Sequence, residues 1–335
     1  MNKETVSAIT KYPLRLEPYV KEVVWGGRWL ANKLGRKGAE RANLGESWEA
    51  YSNSIIINGD FCGEKLAELF DTYGASLFGA AAMSYPKFPL LVKFIDAHQN
   101  LSVQVHPDDA MAQRLENYPF GKTEFWYVIE AKEGAEICYS LNDISASREE
   151  LAEAIRRDDL LRFVQRTPVK KGDVVFLPAG TVHALTEGII VYELQQDCDI
   201  TYRLYDWGRV GREMHVEKGV QAIDLTSRNF KVSHTEGVRH EGYWATELVD
   251  CDFFTATLWQ IEKQAQLKAA PRSFTLLTVL GGEGEIRSPT DEFMPQPLNK
   301  GDTLLIPTDM DYELDTKDSS YLLEIIGSWL ETGHR

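Results

Sequence analysis

The chain has 335 residues, 43% of them hydrophobic, and its 51 acidic against 36 basic side chains give a formal charge of −15. That length and apolar content allow a large core and about two domains. An acidic surface argues against partners such as nucleic acid or an anionic membrane, whose phosphates need Lys and Arg clusters. A phosphorylated small molecule fits only if a local cationic pocket opposes the overall field. Cys62, Cys138, Cys198 and Cys251 are widely spaced with no Cys-x-x-Cys, against both a disulfide framework and a thiolate metal site. Met1 to Val6 lacks a basic region followed by an apolar run, and no stretch approaches ~18 consecutive apolar residues. No signal peptide, no membrane span and a cytoplasmic location are therefore expected; the sequence assigns no oligomeric state.

Residues 1–85 mix turns, short strands and helix, with Leu66, Leu69, Phe70 and Leu77 at helical spacing between Gly63 and Gly79. From Phe88 the pattern changes to strands. Leu90 to Ile95 is a buried-strand run, and Ser102 to His106 alternates with period two. Further strands are expected at Phe125 to Ile129, Val174 to Leu177, Ile189 to Gln195 and Ile200 to Tyr205. One helical excursion, from about Ser147 to Val164, opens on the capping box Ser147-Arg148-Glu149-Glu150. A second set of strands follows at Phe253 to Ile261, Phe274 to Leu280, Thr303 to Ile306 and Tyr321 to Ile326. Short strands at regular spacing with Gly and Asp turns predict an all-β sandwich or barrel.

Gly301 to Pro307 repeats Gly172 to Pro178 closely, and Val279 to Ile286 is similar to Val128 to Ile137. In the second copy the position of Gly180 is Asp309 and that of His183 is Tyr312. The reading is two β-barrels packed together, the first functional and the second structural. The expected boundaries are an N-terminal mixed segment at 1–85, a metal-binding barrel at 86–240 with its helical insertion near 147–164, and a degenerate barrel at 241–335. Gly281-Gly282-Glu283-Gly284 is too short for a dinucleotide loop and reads as a hairpin turn.

The stretch Gly172-Asp-Val-Val-Phe-Leu-Pro178-Ala-Gly180-Thr-Val-His183 carries the chemistry. Pro178 fits the end of a strand. Gly180 fits a turn that needs positive φ. His183 is then returned toward whatever the strand faced. In the alternating segment Ser102, Gln104 and His106 share one face, and Val103 and Val105 the other. With Glu124 at the start of the next strand, Gln104, His106, Glu124 and His183 offer two imidazoles, a carboxylate and an amide oxygen. Such an N/O set suits Zn2+ or another first-row divalent ion. Glu193 and Arg203 lie on faces that, if turned inward, put the arginine over the metal and the carboxylate beside it. Arg203 then needs an anion, or it pairs with Asp199 or Asp206 at the rim. Lys122 is the other nearby cation, or an exposed loop lysine. His98, His215, His234, His240 and His334 have no partner spacing and are taken as structural or exposed.

The Gly172 to His183 spacing resembles the second motif of the cupin family. From about Tyr12 to Arg203 the chain resembles type I mannose-6-phosphate isomerase. The resemblance is carried by Trp25-Gly26-Gly27, Glu46-Ser47-Trp48-Glu49, Phe88 to Ala97, Leu101 to Asp108, Gly121 to Glu124, Pro178 to Ala184 and Tyr192 to Gln195. It implies an all-β fold of two cupin-type, jelly-roll-like barrels with short helical segments, one barrel holding zinc on Gln104, His106, Glu124 and His183. It also implies a catalytic Arg203, a phosphate-binding Lys122, Ser102 near the site, and Glu193 as candidate base with a water on the metal as its rival. The activity implied interconverts mannose 6-phosphate and fructose 6-phosphate through an enediol. Longer members carry Asn-His-Lys-Pro-Glu where this chain has Phe120-Gly121-Lys122-Thr123-Glu124, and they insert a large helical domain; this chain resembles the short bacterial form. Two other readings stand beside it, a non-catalytic sugar-phosphate-binding cupin and a metal-dependent cupin oxygenase.

Overall fold

In the computed structural model the described residues are 11–37, 43–142, 145–226, 232–317 and 322–330. The expectations placed on Met1 to Val6, Tyr321 and His334 lie outside them. Contacts divide the chain into two units. One comprises Pro18–Tyr51 and Pro89–Thr235, the other Met1–Glu17, Ser52–Phe88 and Glu236–Arg335. The division expected at 85 and 240 is thus drawn differently. Residues 18–51 do not stand apart, because Leu44–Ala50 hydrogen-bonds along Leu90–Ala97 and Tyr19–Gly27 along Leu44–Ala50.

The unit containing His183 is built from two antiparallel sheets, as in a jelly roll. The six-stranded sheet runs Tyr19–Gly27, Leu44–Ala50, Leu90–Ala97, Ile189–Gln196, Glu124–Ala131, Val174–Leu177. The five-stranded sheet runs Tyr202–Tyr205, Val103–Val105, His183–Ala184, Glu136–Leu141, Val164–Pro168. Val103 and Val105 are fully buried in a cluster with Leu151, Ile155 and Val220, supplied by the helices Arg148–Arg156 and Val216–Ala222. The valine face of the strand is therefore helix-covered, which leaves Gln104 for the opposite side. The capping box forms as read: Ser147 Oγ accepts from the Glu150 N–H at 3.1 Å, and the Ser147 N–H donates to Glu150 Oε2 at 2.8 Å.

The other unit also has two antiparallel sheets. The larger runs Leu14–Arg15, Thr303–Ile306, Thr275–Gly281, Leu323–Trp329, Thr255–Ile261, Tyr243–Asp250, Val238–Arg239; the smaller runs Gln264–Lys268, Asp311–Thr316, Glu283–Arg287, Gln296–Asn299. The expected all-β architecture of two barrels with short helices is the one observed. The repeat is structural. In one copy the Val128 N–H donates to Asp173 O and the Gly172 N–H to Val128 O; in the other the Val279 N–H donates to Asp302 O and the Gly301 N–H to Val279 O. Where the first barrel has His183, the second buries Tyr312 among Leu277, Leu304, Leu314 and Ile325. Gly282 corrects one expectation. It joins Thr275–Gly281 to Glu283–Arg287, which belong to different sheets, so the turn is a corner between sheets and no hairpin. A side chain there would meet Leu322 O at 2.4 Å, and its φ is +78°.

Candidate functional site

Residues directly opposite one another in antiparallel strands point to the same face, and two such rows build the site. In the five-stranded sheet Gln104 stands opposite both His183 and Arg203, giving the row Arg203, Gln104, His183 across three strands. In the six-stranded sheet Glu193 stands opposite Trp126 and Lys93, and Lys93 opposite Trp48. Lys93, Glu193 and Trp126 from one sheet and Gln104 and Arg203 from the other line a single cavity of about 310 Å3.

Behind the cavity residues Gln104 and Lys122, which contact them, His106, Glu124 and His183 converge, their candidate ligand atoms within 4.8 Å of one another and all three residues buried. Glu124 Oε1 is 3.2 Å from His183 Nε2 and 3.8 Å from His106 Nε2. Each imidazole turns its Nδ1 to a backbone carbonyl, His106 to Ile200 O at 2.8 Å and His183 to Thr181 O at 2.9 Å. Nδ1 is then the protonated nitrogen, and both Nε2 lone pairs face the centre, the orientation a metal requires. Burial holds the His106 imidazole well below the usual range, with Lys122 adding to the effect. The ring is therefore neutral and able to ligate. Glu124 Oε2 is met by the Lys122 ammonium at 2.6 Å, while Oε1 is buried with no donor and faces both Nε2 lone pairs. A buried carboxylate oxygen in that condition is costly unless a cation answers it. Gln104 sits at the edge of the cluster, its Nε2 3.3 Å from His183 Nε2 and its Oε1 3.5 Å from Ser102 Oγ. The expected amide-oxygen donor is thus the atom turned toward Ser102. Rotation of the terminal amide exchanges the two, and hydrogen-bond partners alone choose between them.

Lys122 is buried, not exposed. Its Nζ is 2.6 Å from Glu124 Oε2 and 3.2 Å from His106 Nε2. Arg203 pairs with neither of its expected rim partners. Among the described residues, Asp206 is taken by Arg209 and Arg212, and Asp199 by Lys21 and Lys93. Arg203 Nη1 instead donates to Glu213 O at 2.6 Å, and its Nε is buried with no hydrogen-bond partner among the described residues. His215 accepts the Arg203 backbone N–H at 3.1 Å, His234 is exposed, and His240 stacks on Tyr243.

Glu193 Oε2 accepts from Trp126 Nε1 at 2.8 Å, and Oε1 lies 3.3 Å from Lys93 Nζ. Burial raises the Glu193 carboxyl above its ordinary value, with the Glu124 charge adding and Lys122 and Lys93 opposing. Lys93 was not singled out from the sequence. The signal was there, since it is the one charge inside the apolar run Leu90 to Ile95. Its ammonium also meets Glu46 at 3.8 Å and Asp199 at 3.7 Å, and lies 5.0 Å over the Trp48 ring. Five cations (Lys21, Lys93, Lys122, Arg203 and Arg212) and three carboxylates (Glu46, Glu193 and Asp199) line the cavity. A chain of charge −15 thus encloses a cationic pocket. Ser102 lines it too, beside the apolar wall of Trp25, Ile95, Leu101 and Leu185.

Two of the three departures near Glu124, Gly121 and Thr123, have local causes. A Cβ on Gly121 would lie 2.3 Å from the Asp108 carbonyl carbon and 2.6 Å from Pro107 O, so no histidine fits. Thr123 uses its N–H, which proline lacks, to donate to Gln196 Oε1 at 2.9 Å.

Comparison with known proteins agrees with this geometry. Residues 14–143 match the family model for the type I phosphomannose isomerase catalytic domain, and 245–316 that for the mannose-6-phosphate isomerase cupin domain. The chain is 38% identical over 311 residues to mannose-6-phosphate isomerase ManA of Bacillus subtilis, covering 89% of this chain and 94% of that protein. It is 38% identical over 306 residues to mannose-6-phosphate isomerase of Streptococcus mutans, covering 88% and 92%. The crystal structure of mannose 6-phosphate isomerase from B. subtilis superposes with a TM-score of 0.83 at 31% identity, over 94% of this chain and 99% of that one. The chain belongs to the type I mannose-6-phosphate isomerase family.

Proposed function

We propose that this chain interconverts mannose 6-phosphate and fructose 6-phosphate through an enediol, with Zn2+ held by Gln104, His106, Glu124 and His183. The observation that carries the reading is the buried His106, Glu124 and His183 cluster, contacted by Gln104 and Lys122, which line the adjoining cationic cavity. The donor set fits a divalent ion, since two inward Nε2 lone pairs meet a carboxylate oxygen, Glu124 Oε1, that has no donor. Zinc, when bound, supplies the Lewis acidity that polarises the substrate's C1 and C2 oxygens.

The rest falls to the chain's own residues. Glu193 is the base that takes the C2 proton and returns it at C1. Its Oε1 has no hydrogen bond, while Trp126 fixes Oε2. A carboxylate raised by burial is a better base than one in water. Lys93 keeps it ionised by facing Oε1 at 3.3 Å. Arg203, beside Gln104 in the row and with a free Nε, stabilises the negative charge that grows on the enediolate oxygen. Ser102 orients Gln104. Lys122 balances the Glu124 charge. The apolar wall shields the carbanion-like intermediate from water. Incubating the zinc-loaded protein with mannose 6-phosphate and measuring fructose 6-phosphate tests the reading. Binding without conversion would make the protein a sugar-phosphate binder, and iron in place of zinc with oxygen uptake would make it an oxygenase.

A further inference from the structure

The substrate's phosphate sits at the far end of a six-carbon chain from the reacting C1 and C2, so it needs its own cation. Family resemblance offers Lys122, but this ammonium lies deep, 2.6 Å from Glu124 and 3.2 Å from His106, against the ligands that must face C1 and C2. A phosphate there would bring its charge beside a buried carboxylate, which is unfavourable. Lys93 is equally buried and meets Glu193, Glu46 and Asp199. Lys21 is neutralised by Asp199 at 3.1 Å and Glu46 at 3.8 Å. The cationic surplus therefore rests on the arginine edge. Among the described residues, Arg203's guanidinium has a backbone carbonyl as its hydrogen-bond partner. Arg212 shares one carboxylate, Asp206, with Arg209.

Arg212 is built for an anion. Asp206 is buried and fixes a single nitrogen, Nη1, with its oxygens at 3.0 and 3.2 Å. The rest of the guanidinium is left for the cavity, which Arg212 lines while remaining 28% exposed. Lys122 and Lys93, by contrast, are 5% and 4% exposed, which places them at the floor and Arg212 at the mouth. An oriented guanidinium with free N–H groups matches the fork geometry of a phosphate.

We propose that Arg212, oriented by the buried carboxylate of Asp206, binds the 6-phosphate of the substrate and so makes the enzyme selective for phosphorylated sugars. The proposal rests on the sugar-phosphate reading of the cavity, and its test separates the two. Glucitol 6-phosphate has no carbonyl and cannot be isomerised, so its binding to the zinc-loaded full-length protein is read by calorimetry without turnover. Arg212→Ala should weaken that binding by roughly 10- to 100-fold and raise KM for mannose 6-phosphate by a similar factor, the loss of charge-assisted hydrogen bonds. Arg212→Lys, which keeps the charge and loses the fork, should fall between. Unphosphorylated glucitol should bind the wild type and Arg212→Ala alike. Binding of glucitol 6-phosphate within twofold of wild type in both variants would overturn the assignment. So would a drop in kcat with binding unchanged, which would move Arg212 to the reacting carbons. If the wild type binds glucitol 6-phosphate through Arg212 yet converts no mannose 6-phosphate, the phosphate subsite stands and the isomerase reading falls.

Discussion

Lys93→Met leaves Glu193 buried without its nearest cation. The ammonium is 3.3 Å from Glu193 Oε1, and both side chains are less than 5% exposed. At an effective dielectric of ~20, charges at that separation attract by about 5 kcal/mol. Removing one partner of a buried pair costs about 3–5 kcal/mol, because the other charge stays desolvated. For a domain of this size, each kcal/mol moves the melting temperature by about 2–4 °C, so a fall of roughly 6–20 °C is expected. Thermal unfolding of the wild type, Lys93→Met, Glu193→Gln and the double variant forms the cycle that isolates the pair. Glu193→Gln in the Lys93→Met background should recover about half the loss, since the introduced amide has no charge to neutralise and can still accept from Trp126. Incomplete recovery follows from Glu46 and Asp199, which Lys93 also meets. A single-variant cost under about 1 kcal/mol, or a double variant no better than the sum of the singles, would refute a buried ion pair between them.

Arg203→Ala should cut kcat by about 100- to 1,000-fold while raising KM far less, because its charge is needed where the enediolate forms. Turnover near wild type would remove Arg203 from the chemistry. Gly121→Ala should cost about 1–3 kcal/mol by overpacking, since its Cβ meets the backbone of Pro107 and Asp108 at 2.3–2.6 Å; unchanged urea stability would contradict that contact. Burial lowers the His215 imidazole, with the Arg203 charge adding. A depressed folded value means that the unfolded chain binds the proton better. His215 therefore stabilises fully above its unfolded value, about 6.5, and this is lost as pH falls through the folded one. The stability advantage of the wild type over His215→Gln should thus shrink between pH 7.5 and pH 5.5; an advantage that grows on acidification would reverse the sign.

Local chemistry made much of this site readable. Period-two alternation over Ser102 to His106 separated the cavity face from the helix-covered valines, and the turn at Gly180, whose φ is +89°, returned His183 to Gln104. The repeat was equally legible, because the Gly-Asp turn uses its aspartate in the same way in both barrels, on Lys170 and on Asn299. Register across strands was not. Lys93 faces Glu193 only because two strands distant in sequence align, and no local pattern states that alignment. Arg203 lost Asp206 to the neighbouring arginines Arg209 and Arg212, and Asp199 to Lys21 and Lys93, which are distant in sequence. The strands Tyr19–Gly27 and Leu44–Ala50 were read only as part of a mixed N-terminal segment, since irregularities at Lys21, Glu22 and Gly27 break the alternation that announces a strand. Gly282 misled for a related reason. Glycine permits a turn of either kind, and only the sheet assignment of its flanks tells a corner from a hairpin.

The proposed centre of Gln104, His106, Glu124 and His183 would hold one divalent ion per chain. Elemental mass spectrometry of the dialysed wild type and of His183→Ala tests it most directly. The expected result is about one zinc per chain in the wild type and a large loss of metal in the variant. Full occupancy in His183→Ala, or a catalytically active wild type free of divalent metal, would contradict it.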